Sequence, residues 1–164
     1  MSLYCAWNTA RPTTAARTPV ATGTAIKTML QVAPPSTRLI KVVKWGVRFA
    51  TAPTATVTCE LVQTDVAATV TAHVAAGVQP YEDVNAPASL MTLSTTGTGY
   101  TASAEGTVAA SRTGDEWIAP IGVSYYDYEW SQGREWEVAV STFLRVRMTT
   151  ATTINALCYI VWLE

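Results

Sequence analysis

The chain has 164 residues and a formal charge of −1, with only 14% charged side chains, against about 25% in an average soluble protein. Its eleven Lys and Arg form no cluster, so nothing neutralises a phosphate backbone, and nucleic acid is excluded as the expected partner. No apolar run of 18 residues occurs, and the opening Met1-Ser-Leu-Tyr-Cys-Ala-Trp7 lacks the charged and apolar regions of a signal peptide. The expectation is therefore a protein with no membrane segment, made in a cytoplasm.

Residues 1–22 are read as an extended N-terminal arm. Pro12 and Pro19 fix φ and disfavour helix before them, and Trp7 anchors the arm near its start. Strand signals begin over residues 26–32, stopped by Pro34-Pro35. The longest run is 38–49. There Leu39, Val43, Trp45, Val47 and Phe49 are expected on one face, and Ile40, Val42, Lys44 and Arg48 on the other. Gly46 within this run is read as a bulge.

Residues 56–64 alternate Val57, Cys59 and Leu61 against Thr58, Glu60 and Val62, and 68–74 is a shorter β-prone run. Residues 77–90, with two prolines and two acids, are a loop. Strand signals resume at 100–111, and 116–130 is an aromatic-rich strand or hairpin. Residues 131–134 form a turn, and 136–140 leads into a terminal β-hairpin over 140–164. In that hairpin Leu144, Val146 and Met148 oppose Phe143, Arg145 and Arg147. About eight strands at this spacing, with no sustained helical period, predict an all-β fold. The expected form is a single antiparallel domain over residues 23–164, a β-sandwich, a jelly-roll-like fold or a barrel.

The residue chemistry is sparse. Cys5, Cys59 and Cys158 are far apart, odd in number and without metal-ligand spacing, so they are expected to be apolar fillers. With one histidine, neither a metal site nor a cofactor is expected, and a catalytic triad would have to use His73 without any nucleophile elbow. Gly97-Thr-Gly99 lacks the setting of a phosphate-binding loop. No enzymatic role is expected.

Asp127 and Glu129 share a strand face, and Glu135 and Glu137 come after the turn, among Tyr125, Tyr126, Tyr128, Trp130 and Trp136. Three uses fit: a glycosidase carboxylate pair, a carbohydrate-binding platform, or the solvated edge of a hairpin or a subunit interface. The last is preferred. Tyr, Trp and Arg are enriched in interfaces, so Tyr125, Tyr126, Trp130, Trp136, Arg145 and Arg147 are the expected interface or ligand surface. Arg145 and Arg147 are expected to pair with Glu135 or Glu137.

Four stretches carry a resemblance: Thr58-Cys-Glu-Leu-Val-Gln-Thr-Asp65, Asn85-Ala-Pro-Ala-Ser-Leu90, Gly99-Tyr-Thr-Ala-Ser-Ala-Glu-Gly-Thr107 and Gly133-Arg-Glu-Trp-Glu-Val-Ala-Val-Ser-Thr-Phe-Leu-Arg-Val-Arg147. Together with the apolar ending Val161-Trp-Leu-Glu164, they resemble head decoration (minor capsid) proteins of tailed bacteriophages, particularly those of actinobacteria. The likeness spans residues 24–164. It implies a β-sandwich on the capsid exterior of the virion, a homotrimer bound to the major capsid protein, with no active site. Some such proteins are labelled minor tail proteins, so a carbohydrate- or receptor-binding module of a tail or fibre is the alternative. The arm residues Trp7, Arg11 and Arg17 are the expected capsid contacts.

Overall fold

Period-two alternation decides which side chains the sheets bury. In the computed structural model, which describes residues 1–164, thirteen strands and one short 3₁₀ turn (Ala75–Gly77) form. The strands are β1 (Leu3–Trp7), β2 (Val20–Ala21), β3 (Lys27–Val32), β4 (Ile40–Phe49), β5 (Val57–Thr64), β6 (Thr69–Ala72) and β7 (Gln79–Pro80). After a long loop come β8 (Gly99–Ala104), β9 (Ser111–Ala119), β10 (Tyr125–Glu129), β11 (Trp136–Val138), β12 (Phe143–Thr150) and β13 (Asn155–Leu163).

Two antiparallel sheets face each other. The first runs β10-β4-β13-β1-β7, with β11 continuing β10 along β4 and β2 pairing β13; the second runs β6-β8-β3-β12-β5-β9. If β1, β3, β4, β5, β9, β10, β12 and β13 are counted as first to eighth, the sheets read 1-8-3-6 and 2-7-4-5. That is the strand order of a jelly roll. The expected all-β sandwich is therefore the observed fold, with β6 and β8 as an addition to the edge of the second sheet. No strand pairs with its neighbour in the chain.

The core lies between the sheets. Tyr4, Leu30, Ile40, Trp45, Leu61, Leu144, Val146, Met148, Ile160 and Trp162 are almost fully buried there. The inward sets expected for β5 and β12 are the observed ones. Each such aliphatic side chain contributes about 1.5–3 kcal/mol relative to exposure. The three cysteines are buried and unpaired. Burial pushes the Cys5 and Cys59 thiols up to about 12, so neither is a nucleophile at neutral pH.

Four expectations change. Residues 140–164 are not a hairpin: β12 pairs β3 and β5 in the second sheet, whereas β13 pairs β1, β2 and β4 in the first. The connector 151–154 crosses between sheets. Likewise 116–130 is not one strand or a hairpin, because β9 belongs to the second sheet and β10 to the first.

The stretch expected as an arm begins as sheet. β1 lies between β13 and β7, with Tyr4 and Ala6 in the core, and β2 pairs β13; residues 8–19 carry no strand. The alternation Leu3-Tyr-Cys-Ala-Trp7 is that of a strand, and Pro12 and Pro19 lie too far along the chain to interrupt it. Finally, β4 changes phase within its length. Val43 is the extra residue where Lys44 and Val42 face Val161 and Trp162, so Ile40 and Val42 share the buried face with Trp45, Val47 and Phe49. The bulge is at Val43, not at Gly46.

Candidate functional site

The outward side chains of the first sheet converge. Asp127 (β10) and Tyr159 (β13) close over Gly46 (β4), which has no side chain to occupy the space, and Arg48 (β4), Tyr125 (β10), and Cys5 and Trp7 (β1) extend the group to either side. A Cβ on Gly46 would lie 2.2 Å from Asp127 Oδ1, 2.7 Å from Tyr159 Cε1 and 2.9 Å from the Tyr126 carbonyl oxygen. The glycine serves close approach, a common reason for glycine inside a strand.

Asp127 accepts hydrogen bonds from the Tyr159 hydroxyl and from Arg48 Nη2, the latter at 2.6 Å. Burial alone would raise the Asp127 pKa, but these two hydrogen bonds and the Arg48 charge outweigh it and hold the carboxyl below its ordinary range. The Tyr159 phenol is pushed up, first by burial and then by Asp127. The Arg48 guanidinium also lies 5.7 Å from the Tyr125 ring centre and 5.8 Å from that of Tyr159, within cation–π range.

Tyr159 contacts Trp7 at 4.8 Å between ring centres, and Arg17 sits 4.9 Å over the Trp7 ring. Arg17 donates to Thr9 Oγ1 and the Ala10 carbonyl, and it forms no ion pair. Beside this cluster lies an open depression of about 380 Å³, lined by Cys5, Trp7, Arg48, Gln79, Pro80, Tyr81 and Tyr159. Chemically, the face can stack a planar or apolar group and hydrogen-bond an acceptor through two guanidinium groups.

The expected site residues divide between several places. Trp7, Arg17 and Tyr125 meet on this face. Arg11 is exposed elsewhere, beside Gln79, Pro80 and residues 86–89. Tyr126, Trp130 and Trp136 lie on the other side of β10 and close the open edge between the sheets. Trp117 stacks on Tyr126 at 4.9 Å, Trp130 stacks on Trp136 at 6.3 Å, and Gly114 leaves room for the Trp136 ring. Asp115 accepts hydrogen bonds from Trp45 Nε1 (2.9 Å) and the Tyr126 hydroxyl (2.8 Å).

Arg145 and Arg147 do not reach Glu135 or Glu137, because β12 lies in the opposite sheet from β11. Arg145 is fully buried, donating to Thr28 Oγ1 (2.9 Å) and paired with Glu105. Arg147 Nε lies 2.7 Å from Glu60 Oε1, without the alignment of a hydrogen bond. Glu137 pairs with Lys41 at 3.3 Å, and Glu135 accepts from the Gly133 N–H.

His73 is buried, with Nε2 2.8 Å from the Trp7 carbonyl oxygen and its ring against Tyr100. Burial lowers its pKa, which keeps the ring neutral, donating from Nε2 to that carbonyl. Glu129 is exposed, 3.9 Å from Lys44. A carboxyl held ionised as Asp127 is makes a poor proton donor, so in a glycosidase pair it fits the base or nucleophile role and not that of the acid.

Sequence reasoning places Arg48 only as a polar-face residue and overlooks Tyr81 and Tyr159. The signal that could have found them is Gly46, a glycine inside a ten-residue strand. Comparison with protein-family models, curated proteins and solved structures finds no match to this chain.

Proposed function

We propose that this chain is a structural virion protein: a capsid decoration protein that binds the outside of a tailed-phage head as a homotrimer and stabilises the shell. The observation that carries the reading is the outer face of the first sheet, where strands hold Trp7, Arg48, Tyr125 and the largely buried Tyr159 together and Arg17, from the segment after β1, lies over the Trp7 ring. Tyr, Trp and Arg are the side chains that anchor protein interfaces. The jelly-roll strand order adds support by analogy, since viral shells use that architecture repeatedly.

The mechanism is clamping. Each copy bridges neighbouring major capsid protein subunits and buries surface the shell leaves open. A standard interface buries about 1,600 Å², and a few kcal/mol per contact, repeated over a lattice, resists internal DNA pressure.

The direct test is the ratio of this chain to the major capsid protein in purified particles, measured by mass spectrometry. Hundreds of copies per particle support a lattice decoration protein. A handful indicates a tail component, and absence overturns the virion reading. Because residues 3–7 are a strand of the sheet, the expected capsid contacts are tested by substitution: Trp7→Ala and Arg17→Ala are each expected to reduce binding to undecorated heads.

A second reading, a carbohydrate- or receptor-binding module of a tail or fibre, is favoured by the depression in which Trp7, Tyr81 and Tyr159 adjoin Arg48. Aromatic rings beside hydrogen-bonding groups suit a sugar ring. Glycan-array binding abolished by Tyr81→Ala would favour this alternative.

A further inference from the structure

One end of the jelly roll is built from four loops, and hydrogen bonds join them. Residues 22–26 meet 151–154 through the Thr22 N–H to the Ile154 carbonyl (2.9 Å) and the Ile154 N–H to Thr22 Oγ1 (3.2 Å). Residues 120–124 meet 50–56 through the Gly122 N–H to the Pro53 carbonyl (3.1 Å). The Ala50 N–H donates to the Asn155 carbonyl (2.9 Å), which draws the 50–56 and 151–154 loops together around an open hollow of about 360 Å³.

These loops read Thr-Gly-Thr-Ala-Ile, Ala-Thr-Ala-Pro-Thr-Ala-Thr, Pro-Ile-Gly-Val-Ser and Ala-Thr-Thr-Ile. Not one of the chain's eleven Lys and Arg or twelve Asp and Glu lies in them. The end is also apolar. Ile121 is 68% exposed, and Ile26 and Val123 are exposed with it. Ile26 stands in one outer loop of this row and Ile121 and Val123 in the other, flanking the two hydroxyl-rich loops between them.

We propose that this uncharged loop end is the surface on which copies of the chain meet. The choice of occupant rests on charge. A face evolved against a charged partner carries the opposite charge, whereas a neutral face meets a copy of itself with no like-charge repulsion and no ion to desolvate. The four loops offer about twenty residues, the number a standard interface uses on each side. This inference rests on the oligomeric part of the reading above and assigns a different surface to it, leaving the outer face of the first sheet for the capsid.

Sedimentation velocity on the purified chain tests it, with Ile121→Asp and the milder Ile121→Thr beside wild type. Circular dichroism verifies that each is folded, and Tyr125→Asp on the other face serves as a control. The expected result is a wild-type particle at a multiple of 17.6 kDa, reduced to one chain by Ile121→Asp and weakened by Ile121→Thr, with Tyr125→Asp unchanged. Folded Ile121 variants that keep the wild-type mass overturn the assigned surface alone, even if they lose head binding, which would place the capsid there instead. A wild-type chain that stays single at its highest soluble concentration overturns the oligomer and its surface together. Copy number in particles decides the decoration reading independently.

Discussion

Gly46 shows how a single position can organise a surface. Because the space above it holds the Asp127 carboxylate and the Tyr159 ring, Gly46→Ala must displace both, and the Tyr126 carbonyl cannot move without disturbing the β10 pairing. The expected cost is about 1–3 kcal/mol, read by urea denaturation, with weakened head binding if the cluster is the capsid contact. At Arg145, truncation to Ala strands Glu105 and Thr28, and the expected loss is about 3 kcal/mol, as for other broken buried pairs.

His73 gives a pH signature. Its folded pKa is lowered by burial from an ordinary value of 6.5, so the unfolded chain binds the extra proton first as pH falls. Its contribution is complete above about pH 6.5 and is lost as pH falls through the lowered folded value. The midpoint of thermal unfolding should decline in mildly acidic buffer, and His73→Gln should flatten that part of the profile. At this scale the sequence exposes Trp7, Arg17 and Tyr125 as unusual, but not their meeting point, because strands distant in the chain bring them together.

Among the elements, β13 holds the first sheet together, pairing β1, β2 and β4. Its apolar, β-prone run identifies it as a strand, and periodicity, where a strand has one, reports which side is buried. It does not report the partner. A polar connector such as 151–154 looks the same whether the chain folds back within a sheet or crosses to the facing one, which is why neither the terminal hairpin nor a single 116–130 element forms. The same loss of partner information sends Arg145 and Arg147 to the wrong acids. For β1, the consequence is a sharp contrast: removing residues 2–8 should abolish cooperative unfolding, whereas Trp7→Ala should leave the far-ultraviolet circular dichroism unchanged. Both outcomes are read on the same instrument.

For the molecule as a whole, the absence of any pairing between consecutive strands makes every ladder non-local. Such chains pay loop-closure entropy before gaining contacts. Refolding from denaturant should accordingly fall in the millisecond-to-second range of β-sandwiches, observable by stopped-flow tryptophan fluorescence. Fold class is legible from composition and alternation because those depend on burial alone. The jelly-roll order, which depends on which ladders form, is legible only as far as the spacing of strands suggests it.

The first sheet's free edge is shared between β10 and β11, with residues 130–135 looping out between two segments that both pair β4. A molecule displayed at high density beside copies of itself runs the hazard that open strand edges recruit one another into fibres. Here any recruited strand would meet a break after Glu129. Joining β10 directly to β11 by deleting that excursion would create a longer uninterrupted template, and the result to expect is a protein that folds but polymerises.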